Sequence, residues 1–138
     1  MSTYNKHNLI FLRHAESVAN AEGYFQGQHD FPLTERGRAQ VKAIVERWRD
    51  EGRVFDHILA SPLTRTRETA EGVAAMLNMP IEFDPIWMER DNGGLSGLKH
   101  EEGYKRYPQP DFRNPYADFA ESGEGDWALF LRAGQALK

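Results

Sequence analysis

Cysteine is absent from all 138 residues, so the fold rests on neither disulfides nor thiolate-bound metal. No apolar run approaches membrane-spanning length, and Met1–Lys6 lacks the apolar core of a signal peptide. A cytoplasmic protein with no membrane partner is therefore expected. An excess of positive charge is also missing: 17 Lys and Arg face 21 Asp and Glu, for a net charge of −4. That balance argues against a nucleic-acid-binding surface but leaves room for a local basic site. His29-Asp30 and Asp56-His57 are isolated pairs without the helical His spacing of strong metal sites, so no metal is expected. Internal repeats and low-complexity segments are lacking too, and the length suits one modest core, a single domain over 1–138.

Against these absences stands Leu9-Ile10-Phe11-Leu12, a short apolar run that reads as a buried strand, followed directly by Arg13-His14. Ligands of open α/β sheets collect beyond the carboxyl ends of such strands, which places Arg13 and His14 at the mouth of a cleft. Arg13 offers a planar fork of donors suited to phosphate. A neutral imidazole can attack an electrophile through one nitrogen while the other is held as a donor. His57 to Ala60 reads as a second strand, with Ser61 as N-cap and Pro62 at the first position of the helix that follows. Arg65 then falls near a helix N-terminus, where it can reinforce an anion site. The apolar stripe Leu63, Thr66, Ala70, Val73, Ala74 and Leu77 leaves Arg65 off the buried face.

The remaining pattern alternates helix and strand, as an α/β domain does. Thr34 N-caps a helix to about Asp50, with Val41, Ile44, Val45 and Trp48 on its core face and Gly52 as its stop. A short strand is expected near Ile81 to Phe83, after Pro80. Gly93, Gly94 and Gly97 mark a tightly turning loop whose backbone can approach a ligand. Residues 99 to 121 are rich in proline and aromatics and read as an irregular lid facing the substrate. Within it Lys99, His100, Lys105, Arg106 and Arg113 are candidates for a second anionic group.

Four ordered segments carry a resemblance. They are Leu12 to Ser17 with Asn20; Phe25-Gln26-Gly27 followed by Asp30, Pro32-Leu33-Thr34, Gly37 and Gln40; Ser61 to Ala70; and Glu89 to Gly97. Together they resemble the histidine phosphatase superfamily, which includes cofactor-dependent phosphoglycerate mutases and broad-specificity phosphatases. The resemblance implies a three-layer α/β/α fold with a mostly parallel sheet. It makes His14 the phosphoryl acceptor and Glu89 the proton donor. Arg13 and Arg65 clamp the phosphoryl oxygens, Asn20 lines the pocket, and Gln26-Gly27 supplies a backbone contact to phosphate. Such chemistry asks the protein chiefly to align groups and neutralise charge, and needs no metal or other cofactor. A partly buried Glu89 with a raised pKa is expected for the acid role. Glu16 is read as an orienting or capping residue. The alternative for Glu89 is a surface pair with Arg90.

One element of the family pattern is not found. Its second catalytic histidine lies near the C-terminal end, in a strand followed by His-Gly, whereas none of His7, His14, His29, His57 and His100 precedes a glycine. The pattern Trp127, Phe130, Leu131, Gly134 and Leu137 reads as the helix leading into that strand. The expectation is therefore a C-terminally incomplete member, with an open pairing edge in the sheet and an incomplete active site. The chain also lacks the adjacent arginine pair of the mutases, which favours a phosphatase acting on a small phosphorylated substrate over a mutase. A phosphate-binding module without activity is the reading from another class, and a homo-oligomer is left open.

Overall fold

The computed structural model describes residues 8–138. The helices are α1 (Val18–Glu22), α2 (Glu35–Asp50), α3 (Thr64–Leu77), α4 (His100–Arg106) and α5 (Asp126–Ala136). The strands β1 (Leu59–Ala60) and β2 (Glu82–Phe83) alternate with them, and 3-10 turns occupy Pro85–Trp87 and Gly93–Leu95. The strands pair in parallel, Leu59 opposite Glu82 and Ala60 opposite Phe83, with α3 as the crossover. This is an α/β arrangement.

Helix α2 follows its sequence signals closely. The Thr34 hydroxyl accepts from Gly37 N at 2.9 Å, Glu35 lies in the first turn, and Arg47 and Arg49 face the carbonyl end. Its core face joins Leu33, Val41, Val45 and Trp48 to Val73 of α3, with Ile44, Phe55, Ile58 and Leu77 packed around them. The start of α2 is tied to the loop carrying His14. Thr34 N donates to Glu16 O at 3.0 Å, the Thr34 hydroxyl donates to Glu16 Oε1 at 2.8 Å, and Glu16 N donates to Gln40 Oε1 at 2.9 Å. Gly37 allows this approach, because a Cβ there would sit 2.1 Å from Glu16 O.

Helix α3 begins later than its sequence suggests. Leu63, not Ser61, occupies the N-cap, and Ser61 and Pro62 precede the helix. Ser61 Oγ accepts from Leu63 N at 3.3 Å, a local turn that competes with helix initiation. The missing cap is supplied from afar: Asp30 accepts from Thr64 N at 2.7 Å and from the Thr64 hydroxyl at 2.6 Å.

Two further expectations change. Leu9–Leu12 has no strand ladder among the described residues, and its side chains are exposed, Phe11 to 71%. A groove of about 140 Å³ is lined by Ile10 and Leu12 together with Ile58, Leu59 and Ala60, and among the described residues β1 pairs only with β2. An apolar run becomes a buried strand only where a neighbour completes its hydrogen bonds and covers its faces. Within the segment read as irregular, residues 100–106 form α4. Glu101 and Glu102 in the first turn and Lys105 and Arg106 in the last complement its dipole, and Gly103 packs beneath Phe25 and Leu95. Helix α5 covers the segment expected to be an amphipathic helix, but Trp127, Phe130, Leu131 and Leu137 of the apolar pattern are exposed. Among the described residues, no helix is long and apolar enough to cross a membrane.

Candidate active site

The loop at the end of Leu9–Leu12 is held from three sides. Besides its ties to α2, Ala15 N donates to the Thr69 hydroxyl at 3.1 Å, which donates to Arg65 O at 2.7 Å within α3. Ser17 then caps α1 in a reciprocal box with Asn20, whose backbone N donates to Ser17 Oγ at 3.2 Å. The rigid loop presents a half-buried His14. Its Nδ1 lies 2.7 Å from Ala15 O. A carbonyl only accepts, so Nδ1 carries the hydrogen and Nε2 keeps its lone pair. Burial holds the His14 pKa below the ordinary histidine value. Arg65 and Arg13 lower it further, against the Ala15 hydrogen bond and Glu89, which raise it.

Arg65 differs from its expected place. It is only 1% exposed, buried beside the stripe that was to exclude it. The physical reason is a pair of carbonyls: Arg65 Nη2 donates to Gly27 O at 2.7 Å and Nη1 to His29 O at 3.2 Å. A guanidinium satisfied in this way can be buried without losing its charge. Its Nε is also buried and has no acceptor among the described residues. Burial lowers the Arg65 pKa, opposed chiefly by Glu89 and then Asp30.

The other expected residues converge on the same cavity of about 350 Å³. Arg13, His14, Asn20, Gln26, Gly27, Arg65 and Glu89 all line it. Ser17 Oγ lies 2.9 Å from Asn20 Oδ1 and 2.7 Å from Gln26 Oε1, and its single hydrogen serves one of them at a time. With these oxygens turned to Ser17, the NH2 groups are the ends of both amides left for other partners. Gly27 has a φ of +51°, and a Cβ there would lie 2.9 Å from both Arg90 O and Asn92 Cβ. The position therefore requires glycine for two independent reasons.

Glu89 reaches the cavity but is exposed, not partly buried. It sits on a segment outside any regular element, where no neighbouring layer covers the side chain. Its Oε1 accepts from Arg90 N at 2.9 Å, and its carbonyl accepts from Gln28 Nε2 at 3.1 Å. The alternative pairing with Arg90 is not made: Arg90 Nη1 lies 2.7 Å from Asp126.

The glycine loop is tight for a different reason from the one expected. At Gly94 a Cβ would meet the Tyr107 hydroxyl at 2.1 Å, and at Gly93 it would meet Gly123 N at 2.4 Å, so these glycines admit protein atoms. Of the cations proposed for a second anionic group, only His100 lines the cavity. Lys99 bonds Glu22, Lys105 pairs with Glu101, Arg113 with Asp126, and Arg106 lies over Tyr107. Tyr24, Phe25, Arg90 and Asn92 complete the lining and were not anticipated. Their sequence adjacency to Gln26 and Glu89 was the available signal. Thr69, which holds the His14 loop from 54 residues away, lies in the Ser61 to Ala70 segment that carries the resemblance, but that segment did not mark this contact.

The cavity thus faces a neutral imidazole nitrogen with guanidiniums and one carboxylate, a donor set that fits a phosphoryl group. Comparison with known proteins gives the same direction. The model of the histidine phosphatase superfamily, branch 1, matches residues 9–138. Phosphoserine phosphatase 1 of Hydrogenobacter thermophilus is 40% identical over 105 residues, 76% of this chain and 48% of that protein. A protein named probable phosphoglycerate mutase GpmB, from Enterobacter sp. strain 638, is 41% identical over 104 residues, 71% of this chain and 47% of its own length. Among solved structures, YhfR of Bacillus stearothermophilus superposes with a TM-score of 0.79 at 32% identity, covering 91% of this chain and 62% of that one. The chain spans about half the length of the curated relatives it matches. It belongs to branch 1 of the histidine phosphatase superfamily.

Proposed function

We propose that the protein is a phosphomonoester hydrolase that works through a phosphohistidine on His14. The observation that carries this reading is the His14 ring, fixed by Nδ1 on Ala15 O, with its Nε2 lone pair available beside Arg13, Arg65 and Glu89. Nε2 attacks phosphorus as the ester P–O bond breaks, and the departing oxygen takes a proton from Glu89. Arg13 and Arg65 neutralise the charge on the equatorial oxygens. Water then attacks the phosphohistidine and gives its proton to Glu89, the N–P bond breaks, and phosphate leaves. The direct test is rapid quenching of the native protein with a reactive phosphoester. A phosphoryl adduct on His14 is expected, and turnover with the phosphoryl group on any other residue overturns the reading.

In kcat/KM, which reports only the steps through phosphorylation of His14, Glu89→Gln should slow alkyl phosphates by roughly 100-fold or more while leaving activated aryl phosphates nearly unchanged, because aryl oxides depart without a proton. Parallel measurement of both substrates checks this, and equal losses would remove Glu89 from the acid role. The lowered pKa of His14 gives a pH signature as well. Neutral imidazole, the nucleophile, is retained below the ordinary histidine midpoint of about 6.5. An NMR titration of the His14 ring in the native protein should therefore centre below that value. The linkage has the same sign: the folded pKa lies below the unfolded one, so the stability carried by neutral His14 is present above about pH 6.5 and is lost as pH falls through the folded pKa.

The relative named phosphoglycerate mutase supports a second reading, transfer of the phosphoryl group to another hydroxyl of the substrate. Incubation with 3-phosphoglycerate and a trace of bisphosphoglycerate separates the two: free phosphate marks the hydrolase and 2-phosphoglycerate the mutase.

A further inference from the structure

Glu89 sits on a stretch of chain that no sheet ladder holds. β2 ends at Phe83, the 3-10 turn covers Pro85–Trp87, and residues 88–92 belong to no regular element. A carboxyl that must deliver a proton to one particular oxygen needs its backbone fixed within a fraction of an ångström. The fixing comes from α5. Arg132 Nη1 donates to Ile86 O at 2.8 Å and to Met88 O at 2.7 Å, and Nη2 reaches Glu89 O at 3.4 Å. One guanidinium thus grips three carbonyls on the approach to Glu89. Its remaining edge is taken by Glu124, which accepts from Nε at 2.7 Å and also from Nη2. The backbone of Glu124 closes the grip from the far side, donating to Asp91 O at 2.8 Å.

We infer that Arg132, locked by Glu124, is a positioning residue that holds the main chain carrying Glu89 in register with His14. The inference rests on the acid role proposed for Glu89. Arg132 lies outside the cavity lining, so its effect on the reaction passes through Glu89. The planar fork is essential: an ammonium cannot satisfy a carboxylate along one edge and carbonyls along the other. The paired charges also cancel, so the clamp holds the segment while adding little net charge behind the acid. The two groups reinforce each other, since the hydrogen bond from Arg132 lowers the Glu124 pKa and the bond to Glu124 raises that of Arg132.

The test is the native protein with Arg132→Met and, as a milder lesion, Glu124→Gln. Two readouts are taken: turnover of an alkyl and an activated aryl phosphate, and amide hydrogen exchange. Arg132→Met should lower kcat/KM for the alkyl phosphate by roughly 100-fold with little loss of kcat/KM for the aryl ester. Exchange at Met88 and Arg90 should accelerate while α2 and α3 stay protected. Glu124→Gln should move both readouts the same way by a smaller factor. If Arg132→Met loses protection throughout the molecule, Glu124→Gln decides the matter by the same criteria. Equal losses on the two esters, or unchanged exchange at Met88 and Arg90, overturn the inference. Absence of any His14-dependent turnover in the parent protein instead overturns the proposed hydrolase, and the exchange data then still decide whether Arg132 holds this segment.

Discussion

His14→Ala is expected to lower phosphate release from an aryl phosphate by on the order of 10⁴-fold or more, because it removes the atom that forms the covalent intermediate of the proposed mechanism. The proposed clamp and acid residues cannot substitute. Arg13 and Arg65 are cations without a lone pair to donate, and the Glu89 carboxylate that shares the cavity would approach phosphorus against the charge of the phosphoryl oxygens. The fold should survive the change. His14 is half-buried, and its side-chain bond is to the adjacent Ala15 carbonyl, so no long-range tie is lost. The Ala15 N to Thr69 bond and the Glu16 to Gln40 bond that hold the loop are untouched. The measurement is steady-state phosphate release beside a thermal melt of the same variant. Turnover retained in a folded His14→Ala protein would falsify the mechanism.

Arg65→Lys should be the second most damaging change, for a reason that joins catalysis to stability. Lysine keeps the charge but lacks the fork that meets Gly27 O and His29 O. The buried Gly27 carbonyl and the part-buried His29 carbonyl lose charged donors, and the ammonium must be desolvated without them. A stability loss of about 2 to 4 kcal/mol follows from leaving such groups unsatisfied. The phosphoryl clamp is lost with them, so kcat/KM should fall by roughly 10³-fold. Urea unfolding monitored by tryptophan fluorescence, together with kinetics on the folded fraction, resolves the two effects. Near-normal kcat/KM in Arg65→Lys would mean that charge alone suffices and that the fork has no part in binding.

Much of the site was legible because each local rule agreed with its neighbour. Thr34 before a core-facing stripe specified α2. The motif residues His14, Arg13, Asn20, Gln26, Gly27, Arg65 and Glu89 were named from sequence and line one cavity. Errors arose where a residue's environment comes from distant chain. Periodicity placed Arg65 outside the buried stripe, since a helical wheel cannot include the carbonyls of Gly27 and His29, which approach from another loop. Ser61 looks like a cap by type, yet the cap of α3 is Asp30, more than thirty residues earlier in the chain. The glycines at 93 and 94 signalled a close approach correctly but not what approaches, which is Tyr107 and the chain at Ala120 and Gly123.

By itself the sequence determined the α/β class, the start of α2, the family resemblance and the set of residues that share a cavity. Those properties depend on local pattern and on motifs whose residue types are dictated by phosphate chemistry. Tertiary structure alone decided that Leu9–Leu12 has no strand partner among the described residues, that Glu89 is exposed, and that Arg65 is buried. It also decided that Arg132 and Glu124 hold the segment around Glu89. A strand needs a partner, and a buried cation needs acceptors. Whether either is supplied is settled by chain far away in sequence, where no local period records it.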